Sequence, residues 1–220
     1  MRIPIRALDT KPLGVRLWLV RLDEWRPTRP LVLSATEWSR AAKFAFETDR
    51  LRYLAAHDAL REVLLRTVGV PRQLEFDVGS DGKPTLPPRF GAGFSLSHSQ
   101  GWALIGLSEG QEIGVDIETI RTMPDSWALL QDYFRPEELA ERTFAIAAES
   151  QPFLRGWTRK EACLKAVGVG LSLDPATFAT GLVPDERRVL MLIGNCTVPV
   201  RVVSVELDGP LVAAVASVSH

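Results

Sequence analysis

The chain has 220 residues, of which 46% are hydrophobic and 24% charged, and its formal net charge is −1. This balance is ordinary for a globular protein and gives no polybasic footprint, so nucleic acid is not an expected partner. Its two cysteines are too few for a disulfide framework or a zinc cluster, which favours a reducing, cytoplasmic setting. Prolines and charges interrupt the apolar residues near the N-terminus, so we expect neither a signal peptide nor a membrane span.

The residue pattern predicts alternating groups of strands and helices. Strands are predicted over 15–22, 73–78, 93–97, 102–107, 113–118, 189–193, 199–206 and 211–217. Helices are predicted over 36–68, 125–133, 136–148 and 152–167, the first with Thr36 as its N-cap and a break between 43 and 49. A strand, a long helix and further strands thus occur approximately twice. We therefore expect an α+β fold made of two similar, tightly packed halves, residues 1–108 and 109–220.

Two acidic residues stand on the same face of one predicted strand. Asp116 and Glu118 alternate with the apolar Val115 and Ile117, and residues two apart on a strand lie roughly 6.5 Å apart on one face. Carboxylates at this distance repel each other unless a cation lies between them, and Mg²⁺ prefers such oxygen ligands. The alternative interpretation is a solvated strand face.

The last predicted helix carries a second charged group. Glu161 and Lys165 lie one turn apart, and Lys160 falls within the apolar stripe of the helix, where a lysine needs a partner. Only five of the 26 basic residues are lysines, so a retained lysine suggests a need for an ammonium that can release a proton. A surface pair between Glu161 and Lys165 is the structural alternative.

Two upstream segments are consistent with phosphate binding. Strand alternation separates Ser97 from His98, which disfavours a nucleophile–base pair, and a histidine at a strand end suits a bond to a phosphate oxygen. The turn at Gly82-Lys83-Pro84 presents a lysine and free backbone groups. Neither a P-loop nor a Rossmann glycine motif is present. His57, within the long helix, is interpreted as structural or exposed.

Taken together, these segments resemble the long, Sfp-type group of 4′-phosphopantetheinyl transferases. The resemblance covers roughly residues 36–180. It runs through Gly82-Lys83-Pro84, the segment 94–99, Gly114-Val115-Asp116-Ile117-Glu118, the segment 134–138 and the run 157–171. It implies a monomer of two pseudo-twofold-related halves, with coenzyme A bound in the cleft between them.

The resemblance also implies a reaction and roles for individual residues. The phosphopantetheine arm of coenzyme A would move to a serine of an acyl or peptidyl carrier protein, which leaves adenosine 3′,5′-bisphosphate. Asp116, Glu118 and Glu161 would hold Mg²⁺, or Mn²⁺ in its place. Coenzyme A contacts are expected from Arg52, Lys83, Pro84, Ser97, His98, Lys160 and Lys165, with both latter lysines at the pyrophosphate.

Glu161 is the best candidate for the base that takes the serine proton, and Lys165 for the group that stabilises or protonates the leaving phosphate. Two other functions use the same residues. One is a metal-dependent nucleotide pyrophosphohydrolase, which needs no carrier protein. The other is a non-catalytic module that binds coenzyme A or a carrier protein.

Overall fold

The computed structural model describes residues 4–26, 30–79, 82–141 and 150–219. Its strands are β1 Ile5–Ala7, β2 Arg16–Arg21, β3 Asp77–Val78, β4 Pro84–Thr85, β5 Ala92–Ser99, β6 Trp102–Glu109, β7 Ile113–Thr119, β8 Arg187–Ile193, β9 Cys196–Val205 and β10 Leu211–Val218. Its helices are α1 Ala35–Ala41, α2 Glu47–Val68, α3 Ser126–Tyr133, α4 Pro136–Leu139 and α5 Gln151–Val167.

The strands form two four-stranded antiparallel sheets and one short hairpin. The first sheet has the order β1-β2-β6-β5 and the second β7-β10-β9-β8, while β3 pairs only with β4. In each half a long helix, α2 or α5, separates an early strand from the later ones, and the last strand returns to pair with that early strand: β6 with β2, and β10 with β7. The predicted α+β fold with two related halves is therefore confirmed.

Apolar residues form three layers, and the middle one holds the halves together. Helix α2 packs on one face of the first sheet through residues such as Leu60 and Ile105, and α5 packs on the second sheet through Leu164 and Ala214. Between the sheets lies a shared core that includes residues of both, among them Leu17, Leu104, Val115, Ile117 and Val215. The chain passes from one sheet to the other between Glu109 and Ile113. The division of the chain into domains at residues 1–108 and 109–220 stays a prediction.

The predicted break in the first helix is present, but its start was wrong. Ser34, not Thr36, is the N-cap: its hydroxyl accepts from the Glu37 amide, and the Glu37 carboxylate accepts from the Ser34 amide. This reciprocal capping box satisfies two amides that the helix leaves free. Gly69 ends α2 in the left-handed conformation, with φ 73°.

Three other boundaries differ from expectation. The strand predicted over 73–78 is reduced to Asp77–Val78, and the short edge strand β1 was not predicted. Helix α4 ends at Leu139, and the rest of the helix predicted over 136–148 lies largely outside the described residues. Across the described ranges, every helix is too short or too polar to cross a bilayer.

Candidate active site

A cavity of about 520 Å³ lies between the two halves. Its first-half lining comes from α1, α2, the β3–β4 hairpin and β5, and its second-half lining comes from the C-terminal end of α5, where Lys165 lies. Of the predicted site residues, Lys83, Pro84, His98 and Lys165 line this cavity. A second cavity of about 630 Å³, beside β1 and the β9–β10 turn, contains none of them.

Three serines on β5 connect the first half to the free edge of β7. Ser95 Oγ accepts from the Val115 amide at 3.1 Å, and Ser99 Oγ accepts from the Thr119 amide at 3.2 Å. Because β7 is the edge strand of its sheet, these amides would otherwise lack a partner within the ladder. The alternation that points Ser95, Ser97 and Ser99 toward β7 places His98 on the other face of β5, in the cavity.

Helix α5 lies unusually close to β7 at Gly114. A Cβ atom on Gly114 would stand only 2.0 Å from the Ala162 carbonyl oxygen, so a glycine is needed for this approach. The approach brings Lys165 Nζ to 2.6 Å from Asp116 Oδ1 and 3.1 Å from Ser97 Oγ. Ser97 Oγ also donates to Asp116 Oδ1 at 2.6 Å. Residues of both halves thus form one charged cluster.

Two carboxylates near Lys165, those of Asp116 and Glu161, resist ionisation because burial removes them from water. Burial raises the pKa of Asp116, although Lys165 and Ser97 act in the opposite direction. Burial also raises the pKa of Glu161, and the charges of Asp116 and Glu118 raise it further against the effect of Lys165. Glu161 therefore lies near enough to the other two carboxylates to feel their charge. A cation in this wall would relieve that repulsion.

The three predicted metal ligands nevertheless do not converge as a ready-made set. Among the residues that the structure describes, no group of three histidine, cysteine or acidic side chains is placed to hold a metal ion. Asp116 is paired with Lys165, whereas Glu118 accepts from Ser99 Oγ at 2.7 Å and from Arg121 Nη1 at 2.7 Å. The assignment of these carboxylates as metal ligands therefore stays a prediction.

The structure corrects the position of Lys160. Its side chain is completely buried, and its ammonium donates to Glu138 Oε2 at 3.0 Å, to the Pro175 carbonyl at 2.9 Å and to the Phe178 carbonyl at 2.6 Å. The rings of Phe134 and Phe178 cover it, with centroids 4.7 and 4.9 Å from Nζ. Since no solvent or cavity reaches this ammonium, the expected contact with a pyrophosphate was wrong. Burial lowers its pKa, against the effect of Glu138.

Lys83 lines the cavity, but its ammonium is already bonded to three oxygen atoms of the second half. Its Nζ donates to Glu112 Oε2 at 2.5 Å, to the Ile113 carbonyl at 3.1 Å and to the Ala166 carbonyl at 3.2 Å. Lys83 thus fastens the hairpin of the first half to the second half. Pro84, in β4, is part of the cavity wall, and its contact with coenzyme A stays a prediction.

His98 is solvent-accessible, yet it lies in a concave wall surrounded by positive groups. Partial desolvation, together with the charges of His57, Lys165 and Arg40, lowers the pKa of His98 to about 4. The free protein therefore holds this imidazole neutral, and an incoming anion would favour its protonation. Such a position is suited to phosphate binding.

Arg52 is not brought to the cavity. Its guanidinium makes a two-bond ion pair with Asp23, with Nε at 2.7 Å and Nη2 at 2.9 Å from the carboxylate oxygens. Asp49 lies 3.9 Å away. A contact with coenzyme A would have to compete with both acids, so the predicted role of Arg52 has no support in the geometry.

Several cavity residues were missed by sequence reasoning: Glu37, Arg40, Tyr53 and His57, together with the apolar Leu60, Phe76, Phe94 and Leu96. The polar ones come from α1 and α2, whose crossing brings them to one place. Ser34 followed by Glu37 was an available capping signal, but nothing in the helical spacing indicated that His57 faces a cavity.

Comparison with known proteins is consistent with this arrangement. Residues 112–215 match the family model of the 4′-phosphopantetheinyl transferase superfamily. The chain is 39% identical over 203 residues to the 4′-phosphopantetheinyl transferase HetI of Nostoc sp. (strain PCC 7120), covering 80% of this chain and 85% of the relative. It is 35% identical over 179 residues to the putative 4′-phosphopantetheinyl transferase slr0495 of Synechocystis sp. (strain PCC 6803), with coverages of 78% and 70%.

A more distant relative is the 4′-phosphopantetheinyl transferase Sfp of Bacillus subtilis, 28% identical over 155 residues, with coverages of 70% of this chain and 68% of the relative. These findings define an enzyme class, that of group-transferring enzymes acting on carrier proteins. The chain belongs to the 4′-phosphopantetheinyl transferase superfamily, as its motifs predicted.

Proposed function

We propose that the protein transfers the 4′-phosphopantetheine group of coenzyme A to a serine of an apo acyl or peptidyl carrier protein. The observation that carries the proposal is the bonded cluster of Lys165, Asp116 and Ser97, whose lysine lines the same cavity as His98. A cavity of about 520 Å³ suits a nucleotide-sized donor. Its polar groups match an anionic pyrophosphate and a further phosphate.

In the proposed reaction, the serine Oγ attacks the phosphorus that bears the pantetheine group. A new Oγ–P bond forms, and the bond from that phosphorus to the bridging oxygen breaks. The electron pair leaves with adenosine 3′,5′-bisphosphate. The serine proton passes to a base, for which Glu161 is suited because burial and neighbouring carboxylates raise its pKa above that of an ordinary glutamate, which makes it a stronger proton acceptor.

Lys165 is placed to act on the leaving group. Its side chain is 30% exposed, so its ammonium can reach a ligand in the cleft, and it is held there by Asp116 and Ser97. A positioned ammonium stabilises negative charge that develops on the leaving oxygen. Ser97 orients both partners from the first half, which couples the two halves at the reacting centre.

The carboxylates of Asp116, Glu118 and Glu161 are ligands suited to a hard divalent cation. Asp116, Glu118 and Glu161 offer only carboxylate oxygens, and burial, together with the charges of Asp116 and Glu118, raises the pKa of Glu161. These three residues would hold Mg²⁺ or Mn²⁺, once Asp116 gives up its bond to Lys165. The cation would supply positive charge against the pyrophosphate.

Incubation with coenzyme A, Mg²⁺ and an apo carrier protein tests the proposal. We expect the carrier to gain the mass of one phosphopantetheine group, with an equal amount of adenosine 3′,5′-bisphosphate released. Omission of Mg²⁺, or a carrier whose serine is replaced by alanine, should prevent the gain. Cleavage of coenzyme A at the same rate without any carrier would instead favour the pyrophosphohydrolase.

A monomer in the cytoplasm remains the expected form of the enzyme. Its carrier partner is expected to be acidic, as carrier domains commonly are. Comparing fatty-acid, polyketide and peptide-synthetase carriers as acceptors in the same assay, by kcat/KM, would identify the preferred class.

A further inference from the structure

Glu118, near the end of β7, is held by two side chains that share one of its oxygens. Ser99 Oγ on β5 donates to Glu118 Oε2 at 2.7 Å, and Arg121 Nη1 donates to the same atom at 2.7 Å. None of the residues in the described ranges bonds the second oxygen, Oε1. Glu118 therefore keeps one oxygen that a further ligand can use.

Asp116, two residues earlier on the strand, is held in the same way. Its Oδ1 accepts from Ser97 Oγ and from Lys165 Nζ, each at 2.6 Å, and no described residue bonds Oδ2. Residues two apart on a strand share a face, so both free oxygens belong to carboxylates on the same side of β7. The Glu161 side chain, which feels the charge of both, makes no hydrogen bond or ion pair with any described residue. Free carboxylate oxygens of this kind are the donors that a hard divalent cation takes.

Ser99 is itself fixed by the backbone of β7. Its Oγ accepts from the Thr119 amide at 3.2 Å, and Thr119 Oγ1 donates to the Ser99 carbonyl at 3.4 Å. A hydroxyl has a single proton, so the bond from the amide leaves that proton for the Glu118 carboxylate. A hydrogen bond that orients a metal ligand in this way typically contributes about 10- to 100-fold to metal affinity.

Arg121 has the opposite effect on a cation at Glu118. Its side chain is 42% exposed, and its ion pair with Glu118 spans three residues of the chain, an arrangement that contributes little stability. A divalent cation at Glu118 must displace the guanidinium or bear the repulsion between two positive charges. Displacement is feasible because the side chain borders solvent, and Nη1 also donates to the Thr119 carbonyl at 3.2 Å, which remains a partner.

We propose that Ser99 is a positioning residue that orients Glu118 for a divalent cation, and that Arg121 is the internal cation with which the divalent ion competes. This inference rests on the proposed function, because it concerns the metal that the transfer reaction would use. The two residues set metal affinity in opposite directions through the same carboxylate oxygen. A purely structural role for either would change stability and leave metal affinity as it is.

Ser95 provides the matched control for Ser99, because it bonds the backbone of β7 without bonding a carboxylate. Its Oγ accepts from the Val115 amide at 3.1 Å, as Ser99 Oγ accepts from an amide further along the strand. The residue before the bonded amide is Glu118 for Ser99 but Gly114, which has no side chain, for Ser95. Both serine-to-alanine variants should therefore lower the melting temperature, and only Ser99→Ala should weaken metal binding.

Mn²⁺ binding is measured without coenzyme A or carrier, from the loss of the free-ion signal in electron paramagnetic resonance. We expect Ser99→Ala to raise Kd for Mn²⁺ about tenfold, whereas Ser95→Ala should stay within about twofold of wild type. Ser99→Thr keeps the hydroxyl and should restore most of the affinity.

The arginine is tested in the same assay. Arg121→Gln should lower Kd for Mn²⁺ about threefold, as for loss of one exposed ion pair, and Arg121→Lys, which keeps the charge, should stay near wild type. The matched control is Arg201→Gln, because Arg201 is also exposed, is paired with Glu186 at 2.7 Å and lies outside both cavity linings. Its Kd should not change.

An unchanged Kd in Ser99→Ala, or equal increases in Ser99→Ala and Ser95→Ala, would overturn the role of Ser99. A Kd that does not fall in Arg121→Gln would overturn the competition, and this surface variant remains informative even if Ser99→Ala does not fold. A wild type that binds no Mn²⁺ would overturn both roles. Because binding is measured without transfer, the expected Kd changes in a protein that modifies no carrier would refute the proposed function alone.

Discussion

Lys160 and Lys165 lie five residues apart on α5 and illustrate two uses of the same side chain. Lys160 is fully buried, and its ammonium has three oxygen partners and two aromatic neighbours. Lys165 is 30% exposed at the edge of the cleft, and among the described residues its ammonium bonds Asp116 and Ser97 alone. The first ammonium has no capacity left for a ligand. The second is held by partners that a ligand or cation can replace.

Their carboxylate partners differ in the same way. Glu138 is completely buried and accepts from Lys160 and from the backbone amides of Arg135, Thr180 and Gly181, which satisfies both of its oxygens. Asp116 accepts from Lys165 and Ser97 through one oxygen, Oδ1. A buried ion pair with every bond made fixes structure, whereas one with an oxygen left over is equipped for chemistry.

The largest expected effect is at the Lys165–Asp116 pair and the neighbouring Glu161. Replacing Asp116 or Glu161 with alanine should lower kcat/KM by at least about 10³-fold, because each removes charge stabilisation or proton acceptance at the reacting centre. The melting temperature should change little, because burial raises the pKa of both carboxylates and their charged forms therefore do not favour the folded state. Transfer assays with thermal unfolding as a control measure this. Near-normal activity in either variant would refute their assignment to the site.

At the fully buried Lys160–Glu138 pair, a substitution should reduce stability rather than activity. Lys160→Met leaves the Glu138 carboxylate buried without its cation, which should cost about 3–4 kcal/mol in the free energy of unfolding. The kcat of the folded fraction should stay within a few-fold of wild type, because Lys160 does not reach the cleft. Urea unfolding and active-site titration separate the two quantities.

The double variant Lys160→Met/Glu138→Gln provides the control for this experiment. Removing both charges should recover part of the stability, since the unpaired buried carboxylate is the main cost. A stable Lys160→Met protein with greatly reduced kcat would show that Lys160 acts in catalysis after all.

Lys165→Arg tests whether the cleft lysine contributes more than charge. Arginine keeps a positive charge beside Asp116 but gives up no proton, so we expect kcat to fall about 10²-fold with little change in KM for coenzyme A. The kcat of Lys165→Met should fall further, because methionine carries no charge. Equal activity of Lys165→Arg and wild type would restrict Lys165 to electrostatic stabilisation.

The difference between the two lysines could be only half predicted from the sequence. Helical spacing placed Lys160 inside the apolar stripe of a helix predicted over 152–167 and found over 151–167, and it showed that Lys160 needs a partner. Its partner Glu138 lies 22 residues away, on another helix. Periodicity carries no information on such tertiary pairs, so the buried lysine was wrongly taken for a ligand contact.

Local patterns predicted the strand that carries Asp116 and Glu118 and the opposite directions of Ser97 and His98. Both depend on alternation within a single strand. The serine bonds to β7 and the cavity position of His57 depend instead on how two sheets and two helices pack. Arg52 was misplaced for the same reason, because its partner Asp23 comes from a turn after β2.

The smallest expected effect concerns the buried carboxylate of Glu37 in the first half. Glu37 resembles Glu138: it is buried, with 7% of the residue exposed, and bonds to His57, Arg61 and the Ser34 amide. These bonds lower the pKa of Glu37 from 4.5 to about 2 in the folded protein. A carboxylate with a depressed folded pKa contributes stability that is complete above the unfolded pKa and is lost as pH falls through the folded pKa.

Stability due to Glu37 should therefore decline between about pH 4.5 and pH 2. The loss should amount to roughly 1–3 kcal/mol, allowing for solvent screening. Glu37→Gln should be less stable than wild type at pH 7, and the gap should narrow over this window, because glutamine has no proton to bind. Urea unfolding of both proteins at several pH values measures the gap. A gap that stays constant with pH would mean that Glu37 contributes through hydrogen bonds alone, and that its charge is not what holds His57 and Arg61 in place.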